Sequence, residues 1–448
     1  MELKRTEQSL YTTIVVKDGK IEETVVGIEE GCGIRIFHNG VYGFAFGPKE
    51  DEDSIRNIAL QSAKASEPFT KEKLELPETI PTYQDTVKIS AKKPFEDFSF
   101  EEKMNLVLEC DKAMIGENIR SRTVRYREIH RKATLETDYG TKITVDIPYI
   151  MLHAEAVCKH EGKTIEAMSR AGTIGGMELF EIITPEEIGT KAKTDAIKVV
   201  KCPAVKSGSY PVVLDGEMNH LFAHEAAGHP AEADMVKTIG CFKNKLEKQV
   251  AAKNVNLIDD ATIETVQGVR TFGFLKYDDE GTKCRRVEII KDGVLQDFMT
   301  DLATAKHFNL EPSGNARAQF FSSMPIVRMR NTFLEAEKDP MNEEELIEEI
   351  KNGYLLKGFG GGQADTMKGT FNFGANEIYE IKNGEVGQQF SPTTISGNTL
   401  STLKKIIGIN NTKSNPYTSI GFCGKGAQMA PVGTGGGWMA VKSMLLGG

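Results

Sequence analysis

Several features are absent from this sequence of 448 residues, and each absence narrows what the chain can be. No run of about 18 apolar residues occurs, so no membrane-spanning helix is expected. The first residues, MELKRTEQSLYTT, contain no apolar h-region and no small-residue cleavage site, so they do not read as a secretory signal. The seven cysteines (Cys32, Cys110, Cys158, Cys202, Cys241, Cys284 and Cys423) include no C-x-x-C pair. An odd, widely spaced set argues against a disulfide framework and against a zinc ribbon, and favours a reducing, cytoplasmic setting. Lysines and arginines are scattered through a chain of net charge −9, without the basic stripe that a nucleic-acid partner would call for. GFGGGQ is not followed by Lys-Ser/Thr, and Lys425 is followed by Gly426, so neither glycine-rich stretch is a P-loop. No G-x-G-x-x-G opens a dinucleotide site.

What is present divides into three stretches, expected as domains at 1–80, 81–205 and 206–448. In the first, β-rich runs are separated by Asp18-Gly19 and by Asn39-Gly40, both hairpin signals. A helix follows, with Ile55, Ile58, Ala59 and Ala63 on its apolar face and Asp53 or Ser54 as N-cap. Residues 71–82 are polar, hold two prolines and read as a linker. The second stretch opens with a helix capped by Ser99 and Glu102, continues in long strands between residues 121 and 168, and ends in a helix over 185–200. Residues 1–200 therefore read as α/β layers, two of them related. After residue 206 come short β runs and glycine-rich turns, with helices expected only at 220–233, 342–351 and 399–407. The fold class is α+β: an N-terminal α/β layered region, then a β-rich C-terminal domain with a large antiparallel sheet or barrel-like core.

Three of the eight histidines, His220, His224 and His229, fall within ten residues, in DGEMNHLFAHEAAGHPAEAD. His224, Glu225 and His229 form H-E-x-x-x-H, one residue longer than the H-E-x-x-H pattern of zinc hydrolases. On a straight helix residues four apart lie about 40° apart around the axis, but residues five apart lie about 140° apart. The pair can share a metal only if the helix is distorted between them, by a π-type turn or a helix end. Ala226-Ala227-Gly228, followed by Pro230, suits such a break. His220 and His224 are a rival pair with better straight-helix geometry. The His224/His229 pair is preferred because Glu225 adjoins it and the Gly-Pro break accounts for its spacing.

A hydrolytic zinc takes three protein ligands and keeps one position open. Glu225 suits a base better than a third ligand, which leaves Glu232, Asp234 and the cysteines as candidates. Cys423 has the most unusual setting, enclosed by Gly421, Gly424 and Gly426, with Lys425 nearby to favour a thiolate. The plain alternative for it is a buried core thiol. Asp278-Asp279-Glu280 resembles a carboxylate cluster for a hard cation, but a turn between strands explains it more simply.

GCGIRIFHNGVYGFA, HEAAGHPAEAD, DDEGTKCRRVEIIKDGVLQDFMTDLATAKHF, GNARAQ with MPIVRMRNTFLE, GFGGGQADTMKGTFNFGANEIYEIKNGEV, SGNTLSTLKKIIG and CGKGAQMAPVGTGGG lie in order along the chain. Together they resemble the TldD/PmbA family of zinc metallopeptidases over nearly the whole length. The resemblance implies a TldD-type active subunit, with His224, His229 and Cys423 holding one Zn²⁺ and Glu225 as catalytic base. It also implies that Glu232 orients a ligand histidine, with His220 and Lys425 beside the site. It places a peptide substrate in a tunnel between paired subunits, the partner being a second copy or a metal-less PmbA/TldE-type paralogue. Residues 358–376, Asn315, Arg317 and Arg328 are candidates for lining that tunnel. Two other functions remain open: a non-catalytic peptide-binding subunit, and a zinc hydrolase of another amide or an ester.

Overall fold

The structure, a computed structural model, describes residues 1–412, 418–433 and 435–447; Thr434 of the matched CGKGAQMAPVGTGGG block lies outside the described residues. Strand β1 (Glu2–Lys17) turns back into β2 (Lys20–His38) through Asp18 and Gly19, both left-handed at φ 50° and 76°. Lys17 faces Lys20 across the turn, the two-residue hairpin that needs positive φ at both positions. Asn39 and Gly40 repeat the device into β3 (Val41–Gly47). The helix Glu52–Ser66 packs on this meander through Ile55, Ala59 and Ala63. Ile58 departs from expectation: it is 55% exposed, because the apolar stripe is narrower than the sequence spacing suggested. The helix also starts earlier than expected, with Asp51 rather than Asp53 or Ser54 at its N-cap.

The β-rich runs of the first 200 residues form one sheet, not two related layers. With β4 (Gln84–Lys88), β5 (Ile119–Thr137), β6 (Lys142–His160) and β7 (Lys163–Ile174), the strand order is β3-β2-β1-β5-β6-β4, and β7 also pairs with β6. The edge of β1 left open by its hairpin is taken up by β5 from Leu3 opposite Thr137 to Lys17 opposite Thr123. Alternation along β5 and β6 gives the sheet two different faces. Val124, Tyr126, Ile150, Leu152 and Ala154 lie under the helices Phe100–Ala113 and Pro185–Val200, whose capping boxes are Ser99/Glu102 and Thr184/Glu187. Ile129, Ile147 and Tyr149, on the opposite face, pack against Phe272 and Ile420 of the C-terminal half.

That half is built on a closed five-stranded barrel. β8 (Gly208–Leu214) pairs with Asn352–Asp365, which pairs with Thr370–Lys382, then Thr393–Asn398, then Met439–Leu446, which returns to β8. Closure leaves no free edge within the ring. The helix expected over 399–407 stops at Leu403, because Ile406–Ile409 is claimed by pairing with Met439–Leu446. Beside the barrel, Arg330 is wholly buried on Asp259, Nε to Oδ2 2.7 Å, and donates to the carbonyls of Ser313, Gly314 and Arg285. No helix among the described residues is long and apolar enough to cross a membrane.

The Asp278–Glu280 carboxylates lie in a turn, as the simpler reading expected, and each meets different partners. Asp278 accepts from the backbone of Glu280, Thr282 and Ala316. Asp279 pairs with Arg131 and Arg5, and Glu280 with Arg35, at 2.6 Å. The turn clamps the C-terminal half onto the N-terminal sheet.

Candidate metal centre

β8 runs into Asp215, whose Oδ1 caps the short helix Gly216–Leu221 by accepting from the Met218 amide at 2.9 Å. The helix then widens into a π-turn over Phe222–Gly228, and the His229 N–H donates to the His224 carbonyl five residues back. That bond brings both imidazoles onto one side of the chain, the distortion the five-residue spacing required. Gly228 permits it by close packing: a Cβ there would lie 2.3 Å from Met329 Sδ and 2.9 Å from the Ala223 carbonyl. A 3₁₀ turn, His229–Ala231, with Pro230 in it, ends the irregular segment.

Cys423 arrives from 194 residues away, on the hairpin of Ile420–Lys425 with Gln428–Gly433. Arg328 fixes the hairpin by donating to the carbonyls of Cys423 and Gln428. The Cys423 Sγ stands 3.3 Å from His229 Nε2. The ligand atoms of His224, His229 and Cys423 all lie within 4.8 Å of one another, the one such convergence of three or more His, Cys, Asp or Glu among the described residues. The donor set fits a zinc ion: two imidazoles and one thiol at the edge of a cavity. His224 Nδ1 is buried without a hydrogen-bond partner, and the His229 ring is held by its other nitrogen, so these rings are not spent on ordinary core bonding.

Burial would raise the Cys423 thiol, but His224 and His229 beside it outweigh burial and bring it down to about 4, so it is a thiolate at neutral pH. Lys425, expected to favour the thiolate, is instead committed to Glu232 and Asp234 at 2.9 and 2.8 Å. Glu232 is fully buried, with Oε2 3.1 Å from His229 Nδ1; burial opposes its ionisation, but His229 and Lys425 hold it down to about 2. A histidine that offers Nε2 forward while a carboxylate grips Nδ1 is the usual outer support of a metal ligand. Glu232→Gln should therefore weaken zinc binding by about 10–100-fold while the fold persists, Lys425 retaining Asp234. Titration against a competing chelator measures this, and unchanged affinity would remove Glu232 from that role.

His220 lies outside the three-residue group, its ring centroid 5.9 Å from that of His224. Burial, with His224 and Arg170 nearby, holds it neutral with a pKa near 3. The rival His220/His224 pairing is thus not the one that converges with a third ligand. Two cavities open on the centre and share Glu225. One, of about 450 Å³, is lined by Arg170, His220, His224, Phe359 and Cys423. The other, of about 580 Å³, is lined by His229, Glu232, Gly362, Gln363 and Lys425. Glu225 itself stands with Oε2 3.9 Å from His229 Nε2.

Part of the 358–376 stretch therefore does face the site, but Asn315, Arg317 and Arg328 do not line either cavity. Asn315 is buried against Asp259, Arg328 holds the Cys423 hairpin, and Arg317 faces a separate cavity. Arg170 was missed by sequence reasoning. The signal for it was an arginine among Ala and Gly on one strand, in AMSRAGTI, where alternation alone sends it toward the C-terminal half.

An off-register histidine pair on a π-turn, a cysteine from a distant hairpin and a carboxylate beside two cavities form a candidate metal site with a donor set of the kind zinc takes. Comparison with known proteins agrees at the level of family. Profiles described as PmbA/TldA metallopeptidase domain 1, central domain and C-terminal domain match residues 5–66, 93–199 and 207–448. A metalloprotease of Methanothermobacter thermautotrophicus is 33% identical over 446 residues, covering 99% of this chain and 94% of that protein. A zinc metalloprotease TldD homolog of Saccharolobus solfataricus is 30% identical, covering 94% and 91%. The chain belongs to the PmbA/TldD family of metallopeptidases. A Thermotoga maritima structure described as a modulator of a DNA gyrase superposes with a TM-score of 0.78 at 20% identity, covering 99% of this chain and 96% of that one. TldE of Thermococcus kodakarensis gives 0.71 at 17%, covering 100% and 97%. These two likenesses bear on fold alone.

Proposed function

We propose that this chain is the zinc-bearing subunit of a peptidase, with one Zn²⁺ held by His224, His229 and Cys423 and with Glu225 as general base. The observation that carries the reading is the convergence of those three ligand atoms beside Glu225, at the junction of two cavities. Zinc bound there supplies Lewis acidity, making water a nucleophile at neutral pH and polarising a carbonyl. Glu225 takes the proton from the attacking water and returns it to the leaving amine. Glu232 fixes the His229 ring through Nδ1, and the Glu232–Lys425–Asp234 set keeps that carboxylate ionised.

The two cavities are flanked by the barrel strand Asn352–Asp365, with Phe359 in one and Gly362, Gln363 and Ala364 in the other. The strand's register with its neighbour breaks between Phe359 and Gly362. Beyond Leu356 this strand runs past its pairing with β8, and that side, without a strand partner among the described residues, suits an extended peptide that binds by main-chain pairing. Short or unfolded peptides are accordingly the proposed substrates. A second subunit, either another copy or a metal-less paralogue, completes the tunnel in this reading. In the same reading the chain divides into packing units at 1–80, 81–205 and 206–448, the first two sharing one sheet.

The test is cleavage of an unstructured peptide by purified protein. Activity should vanish on chelation and return with stoichiometric zinc. Cleavage that persists in the metal-free protein would exclude this reading.

A further inference from the structure

The sheet face turned toward the C-terminal half carries a further cavity, separate from the two at the metal centre and sharing the Phe422 wall with one of them. Its walls of Ile129, Tyr149, Phe320 and Phe422 offer an apolar surface to the body of a small organic molecule. Three guanidinium groups, from Arg127, Arg131 and Arg317, and one carboxylate, from Asp279, also line it. Asp279 is fully used: Oδ1 takes Arg131 at 2.8 Å and Arg5 at 3.2 Å, and Oδ2 takes the Ala318 amide at 2.8 Å. Arg5 and Arg131 also meet Glu7, at 3.6 and 3.3 Å, so these two cations and two anions balance.

Arg127 and Arg317 are left over. Among the described residues neither has a carboxylate in ion-pair reach. Arg127 lies over the Phe422 ring at 5.0 Å, and its Nε is buried without a hydrogen-bond partner. Arg317 is 6% exposed and donates from one nitrogen to the Met329 carbonyl. Burial lowers both guanidinium pKa values, and for Arg317 it outweighs the attraction of Tyr149 and Asp279. Uncompensated buried charge is costly, and an anion that enters the cavity relieves it.

We infer that this cavity binds a carboxylate carried on an apolar body, with Arg127 and Arg317 gripping the carboxylate and the aromatic walls taking the body. Guanidinium groups favour carboxylate through paired N–H donors, and the apolar walls select against small hydrated anions. Two sources share this chemistry: the C-terminal residue of a peptide, and a free organic acid. Phe422 is the neighbour of Cys423 in the chain, so occupancy bears on the hairpin that carries the thiolate.

Binding of N-acetyl-L-phenylalanine and of its neutral amide to the full chain is measured by titration calorimetry, independently of any peptidase activity. The acid should bind at least about 10-fold more tightly than the amide. Arg127→Leu, on a half-buried position of β5, should remove that preference, as should Arg317→Met if the variant folds. Equal binding of acid and amide, no acid binding below about 10 mM, or an undiminished preference in Arg127→Leu would overturn the proposal. Kinetics then separate the sources. If the site takes peptide termini, the acid competes with a peptide ending in free phenylalanine, and Arg127→Leu raises KM for that peptide but not for its amidated form. If a free acid is the ligand, it binds without competing. Absent cleavage with acid binding intact would count against the peptidase reading and leave the site standing.

Discussion

Glu225→Gln should keep its zinc and lose its chemistry. Glutamine has nearly the same shape and still reaches the cavity junction, but it cannot accept a proton. General-base assistance is worth about 10²–10⁴-fold, so kcat on an unstructured peptide should fall by that factor, equivalent to about 3–5 kcal/mol in the barrier. Because the carboxylate contributes no ligand in the proposed set, metal content should stay at the wild-type level. KM should change little, since the proposed mode holds the peptide by strand pairing and not through Glu225. A variant with full activity would exclude Glu225 as the base. A variant that loses zinc together with activity would instead make it a ligand.

Cys423→Ala and His229→Ala should each empty the centre. Two remaining donors hold zinc poorly, and the loss should exceed the roughly 10–100-fold expected for an outer partner such as Glu232. The two variants should differ in their side effects. Cys423 is 7% exposed on a hairpin whose backbone Arg328 still holds, so its removal should leave the fold unchanged by circular dichroism. His229→Ala also takes a partner from Glu232, a fully buried carboxylate left with Lys425 alone, and should lower thermal stability as well. Zinc retained by either variant would break the ligand set.

Much of this site is legible in the amino-acid sequence, and the reasons are local. Asp18-Gly19 and Asn39-Gly40 demand positive φ, so their hairpins are written in the residues themselves. The π-turn follows from geometry: two histidines five apart cannot share a metal on a straight helix, and Gly228 with Pro230 marks where it gives way. Non-local pairing is not legible in the same way. Nothing in β1 announces that its open edge will be filled by β5, more than a hundred residues on, and so one sheet reads as two layers. Barrel closure through the parallel pairing of β8 with Asn352–Asp365 is of the same kind. Ile58 departs from its expected burial because helical spacing gives a face but not the width of what covers it. Arg127, Ile129 and Arg131 alternate with Val124, Tyr126 and Glu128, a two-faced strand visible in RTVRYREIHR once the period is taken seriously. Cys423 needed the family resemblance, since glycine neighbours mark a close approach but not the group approached.

X-ray absorption at the zinc edge reads whether a distant thiolate completes the metal centre begun on the distorted helix. Zinc-loaded wild type should show one sulfur at about 2.3 Å together with nitrogen ligands at about 2.0–2.1 Å, and the sulfur shell should be gone from Cys423→Ala. A wild-type spectrum fitted by nitrogen and oxygen alone would remove Cys423 from the metal.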